Sequence, residues 1–104
     1  MRGTYIGQNR VLVEPTWGGR LIVPADDYSI GFDLITAGEI EPALTRFLQR
    51  TVRPGQTAVD VGANLGYHTI LLGTLVGPQG RVFAYEPNPH LLPFLRANVA
   101  SNYL

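Results

Sequence analysis

The feature that most constrains the fold is a strand-like run that leads through a glycine-bearing turn into an apolar helix, in the sequence TAVDVGANLGYHTILLGTLV at residues 57–76. Residues 57–61 are short and rich in β-branched side chains, as in a strand, and the helix predicted over 66–76 is almost wholly apolar. Gly77 and Pro78 follow it in the order expected at a helix C-terminus. The segment therefore predicts the first strand and helix of an α/β unit.

A second strand and a second helix follow. Residues 81–85 (RVFAY) are predicted to be a strand and residues 89–102 a helix, with Asn88 as its N-cap and Pro89 as its first residue. Pro93 fits this helix less well, because at that depth it removes a backbone hydrogen bond. Strand, helix, strand, helix predicts a βαβα unit with parallel strands. The second half of the chain is therefore predicted to be a Rossmann-like α/β structure.

The N-terminal part of the chain has the pattern of β structure. Residues 10–14 (RVLVE) and 20–24 (RLIVP) are two strand-like runs joined by a loop that contains two glycines, which predicts a β-hairpin. Residues 26–38 are acidic and are predicted to be irregular. A β-hairpin extension is therefore expected before the α/β unit.

A helix over residues 41–51 is predicted to connect the two parts. Leu44, Phe47 and Leu48 recur at the i, i+3, i+4 spacing of an apolar helix face. Pro54 lies where the helix must already have ended. The expected order is thus β-hairpin, helix and βαβα unit.

Two carboxylates and two glycines are predicted to meet at the carboxyl end of the parallel strands. Asp60 lies at the end of the first strand, and Gly62 and Gly66 bracket the turn into the helix. Glycine permits a tight turn and a close approach of a ligand, and the helix N-terminus directs amides into the same crevice. Glu86 ends the second strand, 20 residues after Gly66, the separation at which an acidic residue meets a ribose in dinucleotide-type folds. This pattern indicates a cofactor that contains a ribose.

The spacing of the glycines disfavours a nicotinamide cofactor. If the fingerprint G-x-G-x-x-G began at Gly62, its later glycines would fall on Asn64 and Tyr67. The motif present is instead D-x-G-x-N-x-G. Oxidoreduction with a nicotinamide therefore remains the less favoured alternative.

Composition excludes several other kinds of chemistry. All eight basic residues are arginine, so a Schiff-base or P-loop lysine is absent. The chain has no cysteine, and its two histidines, His68 and His90, are scattered, so no disulfide and no metal site are expected. A formal net charge of zero argues against nucleic acid or a membrane surface as a partner. With no signal-peptide pattern and no membrane-spanning run, a cytoplasmic location is expected.

The motif D-x-G-x-N-x-G resembles motif I of Rossmann-like S-adenosylmethionine-dependent methyltransferases. Together with GRVFAYEPNP at residues 80–89 and LRANV at residues 95–99, it makes residues 40–102 resemble the FkbM family of methyltransferases. The resemblance implies the N-terminal half of a class I methyltransferase fold, with S-adenosylmethionine as the cofactor. It also implies methyl transfer, usually to an oxygen, on a small-molecule or glycan acceptor.

The resemblance assigns cofactor-binding roles by position. The turn after the first strand would line the methionine part of the cofactor, and Asp60 would lie beneath it. Glu86 would accept hydrogen bonds from the ribose hydroxyls, as a carboxylate can, and the two residues after it would border the adenine. No catalytic base is assigned, and His68 is expected to pack or to form a local hydrogen bond. The predicted cofactor-binding residues are Asp60, Gly62, Ala63, Asn64, Gly66, Glu86, Pro87 and Asn88.

Each of these assignments has a structural alternative. The two glycines could simply make a tight turn, Asp60 could cap the helix, and Glu86 could be a solvated strand end. At the level of the whole chain, the alternative is a non-catalytic α/β module that serves as an interaction surface.

The family's sheet has seven strands, and this chain provides two of them. Residues 1–38 are predicted to be the β-hairpin extension, and residues 39–104 the N-terminal half of the cofactor-binding domain. A two-stranded sheet leaves an open edge that favours pairing with other chains. The chain is expected to be a fragment of a longer methyltransferase that keeps half of the cofactor site and is inactive or feeble alone, a natural truncation, or a chain that pairs its open edge with a second copy or another subunit.

Overall fold

The computed structural model describes residues 3–104. Within them, the chain forms a three-stranded antiparallel sheet, a two-stranded parallel sheet and four helices, which confirms the predicted α/β class. In chain order the elements are β1 (Gly3–Gly7), β2 (Arg10–Val13), β3 (Leu21–Pro24), α1 (Ile30–Ala37), α2 (Pro42–Thr51), β4 (Thr57–Val61), α3 (Tyr67–Val76), β5 (Arg81–Tyr85) and α4 (Leu92–Ser101).

The predicted hairpin is present, and a further strand extends it. β2 and β3 pair antiparallel with Val11 opposite Val23. Strand β1 pairs with the other side of β2 and was not predicted. Its sequence, GTYIG, begins and ends with glycine, and Tyr5 and Ile6 are exposed, so it lacks the alternation of a half-buried strand. The N-terminal region is therefore a three-stranded sheet and not a hairpin alone.

The prediction that residues 26–38 are irregular was wrong, because α1 lies within them. Asp27 Oδ1 accepts hydrogen bonds from the backbone amide of Ser29 at 2.9 Å and from its hydroxyl at 2.7 Å, which folds the chain into the helix. Gly38, in the left-handed conformation at φ +76°, ends it. The acidic residues thus form the turn that precedes a short helix.

Helix α2 occupies the predicted range, but its predicted apolar face was partly wrong. Leu44 is 38% exposed and Phe47 is 59% exposed, whereas Thr45 is only 2% exposed. Leu48, the third member of the predicted face, is half-buried. Helical spacing of apolar residues therefore located the helix but did not give its orientation.

Strands β4 and β5 pair in parallel, as predicted, with Val59 opposite Phe83. Helix α3 follows the turn after β4 and ends before Gly77, also as predicted. Helix α4 begins at Leu92 and not at residue 89. Its predicted N-cap, Asn88, instead accepts a hydrogen bond from the backbone amide of His90 at 2.9 Å, in a turn before the helix. Pro93 therefore lies in the first turn of α4, where proline is tolerated.

The hydrophobic core lies between the antiparallel sheet and α3. The ring of Trp17, in the loop between β2 and β3, meets the ring of Tyr67 edge to face, with centroids 5.5 Å apart. The core also includes Leu65, from the turn that precedes α3, and Leu34 of α1. Its buried members are Val11, Val13, Leu21, Val23, Leu34, Leu65, Tyr67 and Ile70.

The parallel sheet exposes the face whose side chains alternate with those packed against α3. On this face Val59, Val61, Phe83 and Tyr85 are all exposed, and Val61 is 81% exposed. Over residues 3–104, none of the helices has the length and apolar character needed to cross a membrane.

Candidate cofactor site

The turn between β4 and α3 is folded over the end of β5. The backbone amides of Gly62 and Ala63 both donate to the carbonyl oxygen of Tyr85, at 2.9 Å and 3.0 Å. The amide of Gly66 donates back to the carbonyl oxygen of Ala63 at 2.9 Å, which closes the turn. Gly62 and Gly66 have φ angles of +77° and +104°, which favour glycine. The carboxyl ends of the two parallel strands are thus joined at one place, as the sequence predicts.

Glu86 connects the turn to the segment that follows β5. Its Oε1 accepts a hydrogen bond from the backbone amide of Asn64 at 2.7 Å, and its Oε2 accepts one from the amide of Asn88 at 2.9 Å. A carboxylate has about four acceptor positions, so each oxygen keeps capacity for a further donor. The side chain is half-buried. Glu86 is therefore held in place by its own chain while remaining able to accept hydrogen bonds from a diol.

Asp60 lies beside the first turn of α3. Its Oδ2 accepts a hydrogen bond from the hydroxyl of Thr69 at 2.7 Å, which ties the end of β4 to the helix. This contact is the one expected of a residue that supports the turn. The alternative in which Asp60 stabilises the helix therefore has a direct contact behind it, and a role in holding the loop is compatible with the same contact.

The two glycines of the turn differ in what surrounds them. A Cβ on Gly66 would lie 2.9 Å from Cδ1 of Leu95 on α4, so this glycine is needed for packing. A Cβ on Gly62 would meet no atom within 4 Å, so the space above this residue is open. Gly62 is therefore the position at which a ligand can approach the backbone of the turn.

A crevice of about 230 Å³ lies beside the turn. Its walls come from the turn itself, from the starts of α1 and α3 and from the segment before α2. Glu41 stands in that wall with φ +43°, a conformation rare for residues other than glycine. The sequence predicts a helix that begins at this residue but carries no signature of its unusual backbone angle. The lining residues are Ile30, Ile40, Glu41, Gly62, Ala63, Asn64, Leu65, Tyr67 and His68.

The eight predicted site residues fall into three groups in the structure. Gly62, Ala63 and Asn64 line the crevice, Glu86 accepts a hydrogen bond from the amide of Asn64 in that turn, and the amide of Asn88 donates to Glu86. Pro87 is exposed next to Glu86. The remaining two, Asp60 and Gly66, contact α3 and α4. An open glycine, a fixed carboxylate and an adjacent crevice fit a ligand that combines a ribose with an amino-acid end.

Comparison with protein families identifies the family of this chain. The family described as protein-L-isoaspartate(D-aspartate) O-methyltransferase matches residues 27–103, well over half of the chain. The chain belongs to this family. Its membership implies S-adenosylmethionine as the cofactor and a class I methyltransferase fold.

Individual relatives match shorter stretches. A protein-L-isoaspartate O-methyltransferase of Aeropyrum pernix is 47% identical over 47 residues, which are 45% of this chain and 18% of that protein. Protein-L-isoaspartate O-methyltransferase 1 of Arabidopsis thaliana is 31% identical over 81 residues, which are 73% of this chain and 35% of that protein. The chain therefore spans about a fifth to a third of the length of these curated relatives.

A solved structure supports the fold. A protein of Clostridium thermocellum described as an rRNA methylase superposes with a TM-score of 0.55 at 25% sequence identity, over 57% of this chain and 32% of that chain. The matches confirm the predicted class of S-adenosylmethionine-dependent methyltransferase and the N-terminal part of its fold. They do not support the FkbM family specifically, since the matching family is the isoaspartate methyltransferase family.

Proposed function

We propose that this chain holds the methionine and ribose parts of S-adenosylmethionine in an O-methyltransferase whose acceptor is the carboxylate of an L-isoaspartyl or D-aspartyl residue in a protein. The observation that carries the cofactor half of this proposal is the fixed carboxylate of Glu86, bonded to the amides of Asn64 and Asn88 beside the open face of Gly62. The acceptor half rests on family membership.

Each part of the site has a distinct task in this proposal. The free acceptor positions on Glu86 receive the two ribose hydroxyls, and Pro87 and Asn88 border the adenine. The turn from Gly62 to Gly66 faces the methionine part. Asp60 supports that turn through its contact with Thr69. Because Glu86 is already fixed by two backbone amides, little conformational entropy is lost when it binds a diol.

The reaction requires the methyl donor and the acceptor to be aligned, and it depends less on proton transfer. When bound, S-adenosylmethionine supplies a sulfonium methyl group; the acceptor oxygen forms the new C–O bond as the C–S bond breaks, and the electron pair stays on sulfur. A carboxylate acceptor is already ionised at neutral pH, so it needs no general base. The contribution of the protein is then to align the reactants and to exclude water.

A second candidate is transfer to a hydroxyl oxygen of a small molecule or glycan. The specific observation in its favour is the pair of sequences DVGANLG and EPNP, which resemble the FkbM family. A hydroxyl must lose its proton, so this reaction requires a base that the carboxylate reaction does not. The two candidates share the cofactor site and differ only in the acceptor.

Titration calorimetry with S-adenosylhomocysteine tests the cofactor site. We expect saturable binding by the wild-type chain and a loss of about ten- to a hundredfold in affinity for Glu86→Gln, the range for hydrogen bonds to a charged group. Glu14→Gln is the matched control. Glu14 is exposed and directly follows β2, so this variant should bind as the wild type does. No saturable binding at millimolar ligand would contradict the proposal and favour the non-catalytic interaction module.

The acceptor is tested with methyl-labelled S-adenosylmethionine. Label transferred to an isoaspartyl peptide should be released as methanol in mild base, because it is held as an ester. Label on a glycan or small-molecule hydroxyl would resist the same treatment, because it is held as an ether. A base-stable product would overturn the carboxylate acceptor in favour of the second candidate.

A further inference from the structure

Two asparagines, one in helix α4 and one at its C-cap, lie one helical turn apart along the free edge of β3 and the residue before it. Asn98 Oδ1 accepts from the backbone amide of Ile22 at 2.6 Å, and its Nδ2 donates to the carbonyl oxygen of Ile22 at 3.1 Å. Asn102 repeats this pairing with Arg20, with Oδ1 2.9 Å from the amide nitrogen and Nδ2 2.6 Å from the carbonyl oxygen. Two side-chain amides therefore take the place of a neighbouring strand along this edge.

The third hydrogen bond of each asparagine distinguishes them. Asn98 Nδ2 also donates to the carbonyl oxygen of Leu65 at 2.7 Å, in the turn between β4 and α3. Asn102 Nδ2 instead donates to the carbonyl oxygen of Asn98 at 2.8 Å, at the C-terminal end of α4. The side chain of Asn98 is completely buried, and its amide oxygen and both amide hydrogens are used. Only Asn98 therefore connects β3 to the turn.

The turn is consequently held from two sides. On one side, the carbonyl oxygen of Tyr85 and the carboxylate of Glu86 bind three consecutive amides, those of residues 62–64. On the other side, Asn98 binds the carbonyl oxygen of Leu65 and so connects the turn to a strand 76 residues away in sequence from Asn98. Buried hydrogen-bond networks that are fully satisfied make their members rigid.

We propose that Asn98 is a positioning residue for the cofactor turn, through which the N-terminal antiparallel sheet determines the geometry that receives the methionine end of S-adenosylmethionine. This inference rests on the proposed function for its ligand. Its structural part, the dependence of the turn on Asn98 and β3, does not need a ligand. In this proposal the N-terminal sheet contributes to the cofactor site, because it helps to fix the position of the turn.

The test compares Asn98→Ala with Asn102→Ala in the full chain. Each variant loses the paired hydrogen bonds to β3, but only Asn98→Ala loses the bond to the turn. Below the unfolding temperatures of both variants, we expect the affinity for S-adenosylhomocysteine to fall about tenfold or more in Asn98→Ala, which is about 1.4 kcal/mol. In Asn102→Ala it should stay within about twofold of the wild type, since a remote surface-side change rarely exceeds a few tenths of a kcal/mol. Equal losses in the two variants, or none in Asn98→Ala, would overturn the proposal.

Amide resonances provide a readout that does not depend on cofactor binding. In ligand-free protein, Asn98→Ala should shift the amide resonances of residues 62–66, Gly66 above all, because its nitrogen follows the carbonyl that loses a donor. Asn102→Ala should leave them unchanged. If the wild type binds no S-adenosylhomocysteine but these shifts are seen, the proposed function fails and the positioning role stands. If Asn98→Ala does not fold, hydrogen exchange of the Asn98 side-chain amide in the wild type takes the place of this measurement. We expect that exchange to be slow. Exchange as fast as that of the exposed Asn9 side chain would overturn the inference.

Discussion

At the scale of single residues, the two glycines of the turn have different roles: Gly66 permits close packing, and Gly62 leaves space for a ligand. Gly66 has φ +104° and faces Leu95, whereas Gly55 has φ +86° and a Cβ added there would meet no atom within 4 Å. Gly55→Ala should therefore cost only the left-handed backbone penalty of about 1–2 kcal/mol. Gly66→Ala should cost about 1–3 kcal/mol more, because the added methyl group overpacks the contact with α4. Urea unfolding of both variants measures the difference in their free energies of unfolding. Equal losses of stability would show that α4 can shift to accommodate the methyl group at no cost.

Gly62 is the glycine whose replacement should affect binding. Its φ of +77° is close to that of Gly55, and space around it is equally open, so Gly62→Ala and Gly55→Ala should lose similar stability. Only the methyl group at residue 62 enters the space above the turn. We expect Gly62→Ala to weaken the binding of S-adenosylhomocysteine by at least about tenfold, or 1.4 kcal/mol, while Gly55→Ala retains it. Calorimetry on the two variants decides this, and unimpaired binding by Gly62→Ala would place the ligand elsewhere.

The sequence predicts which residues lie at the two ends of the site but not the contacts that hold them in place. Asp60 and Glu86 could be brought to one edge because parallel strands present their carboxyl ends together. The hydrogen bond from the Asn64 amide to Glu86 could not be predicted, because it joins residues 22 positions apart. The contacts of Asn98 could not be predicted either, because they join residues 33 or more positions apart. A buried asparagine is recognisable only when its partners are known.

At the scale of secondary-structure elements, α2 and α3 are joined by a buried hydroxyl pair. Thr45 and Tyr67 are each 2% exposed, and their hydroxyl oxygens lie 2.9 Å apart. Thr45 Oγ1 also donates to the carbonyl oxygen of Ile40 at 3.0 Å. The pair explains why Thr45, and neither Leu44 nor Phe47, occupies the buried face of α2.

The Thr45–Tyr67 pair predicts an asymmetric double-mutant cycle. Thr45→Val leaves both the hydroxyl of Tyr67 and the carbonyl of Ile40 without a partner, which should cost about 1–3 kcal/mol. Tyr67→Phe leaves Thr45 bonded to Ile40 and should cost less, about 0.5–1.5 kcal/mol. The double variant should lose less than the sum of the two, because the unpaired tyrosine hydroxyl is no longer present. Denaturant unfolding of the four proteins checks this, and strict additivity would show that the two hydroxyls are not coupled.

Two of the errors in predicting elements, those at α1 and at the start of α4, share one cause. Residues 26–38 and the segment around Asn88 both carry turn residues, and both turns precede helices: Asp27 binds Ser29, and Asn88 binds His90. Side chains of this type favour helix caps and free-standing turns alike. Where the apolar pattern was long, as in α3, the boundaries were predicted to within one residue. The short helix α1, with few buried residues, lacked such a pattern.

At the scale of the whole molecule, the two sheets differ in how much of their apolar surface is covered. The antiparallel sheet buries one face in the core, and its β3 edge is covered by Asn98 and Asn102. The parallel sheet has one apolar face exposed and, within residues 3–104, pairs only β4 with β5. Its exposed side chains, Val59, Val61, Phe83 and Tyr85, form one contiguous strip because they are cross-strand neighbours. Exposed apolar patches of this kind mark surfaces that associate with other protein.

The strip therefore predicts that the 104-residue chain self-associates through its parallel sheet. Sedimentation velocity should show the average mass rising above that of the 11.4 kDa monomer as the concentration increases. Val61→Lys places a charge within the strip and should return the chain to the monomer, because burying an unpaired ammonium group is strongly unfavourable. Phe47→Lys is the control: this side chain is 59% exposed but lies on α2, away from the strip, and its replacement should leave association unchanged. A wild-type chain that stays monomeric at high concentration, or a Phe47→Lys variant that dissociates as Val61→Lys does, would show that the parallel sheet is not the contact surface.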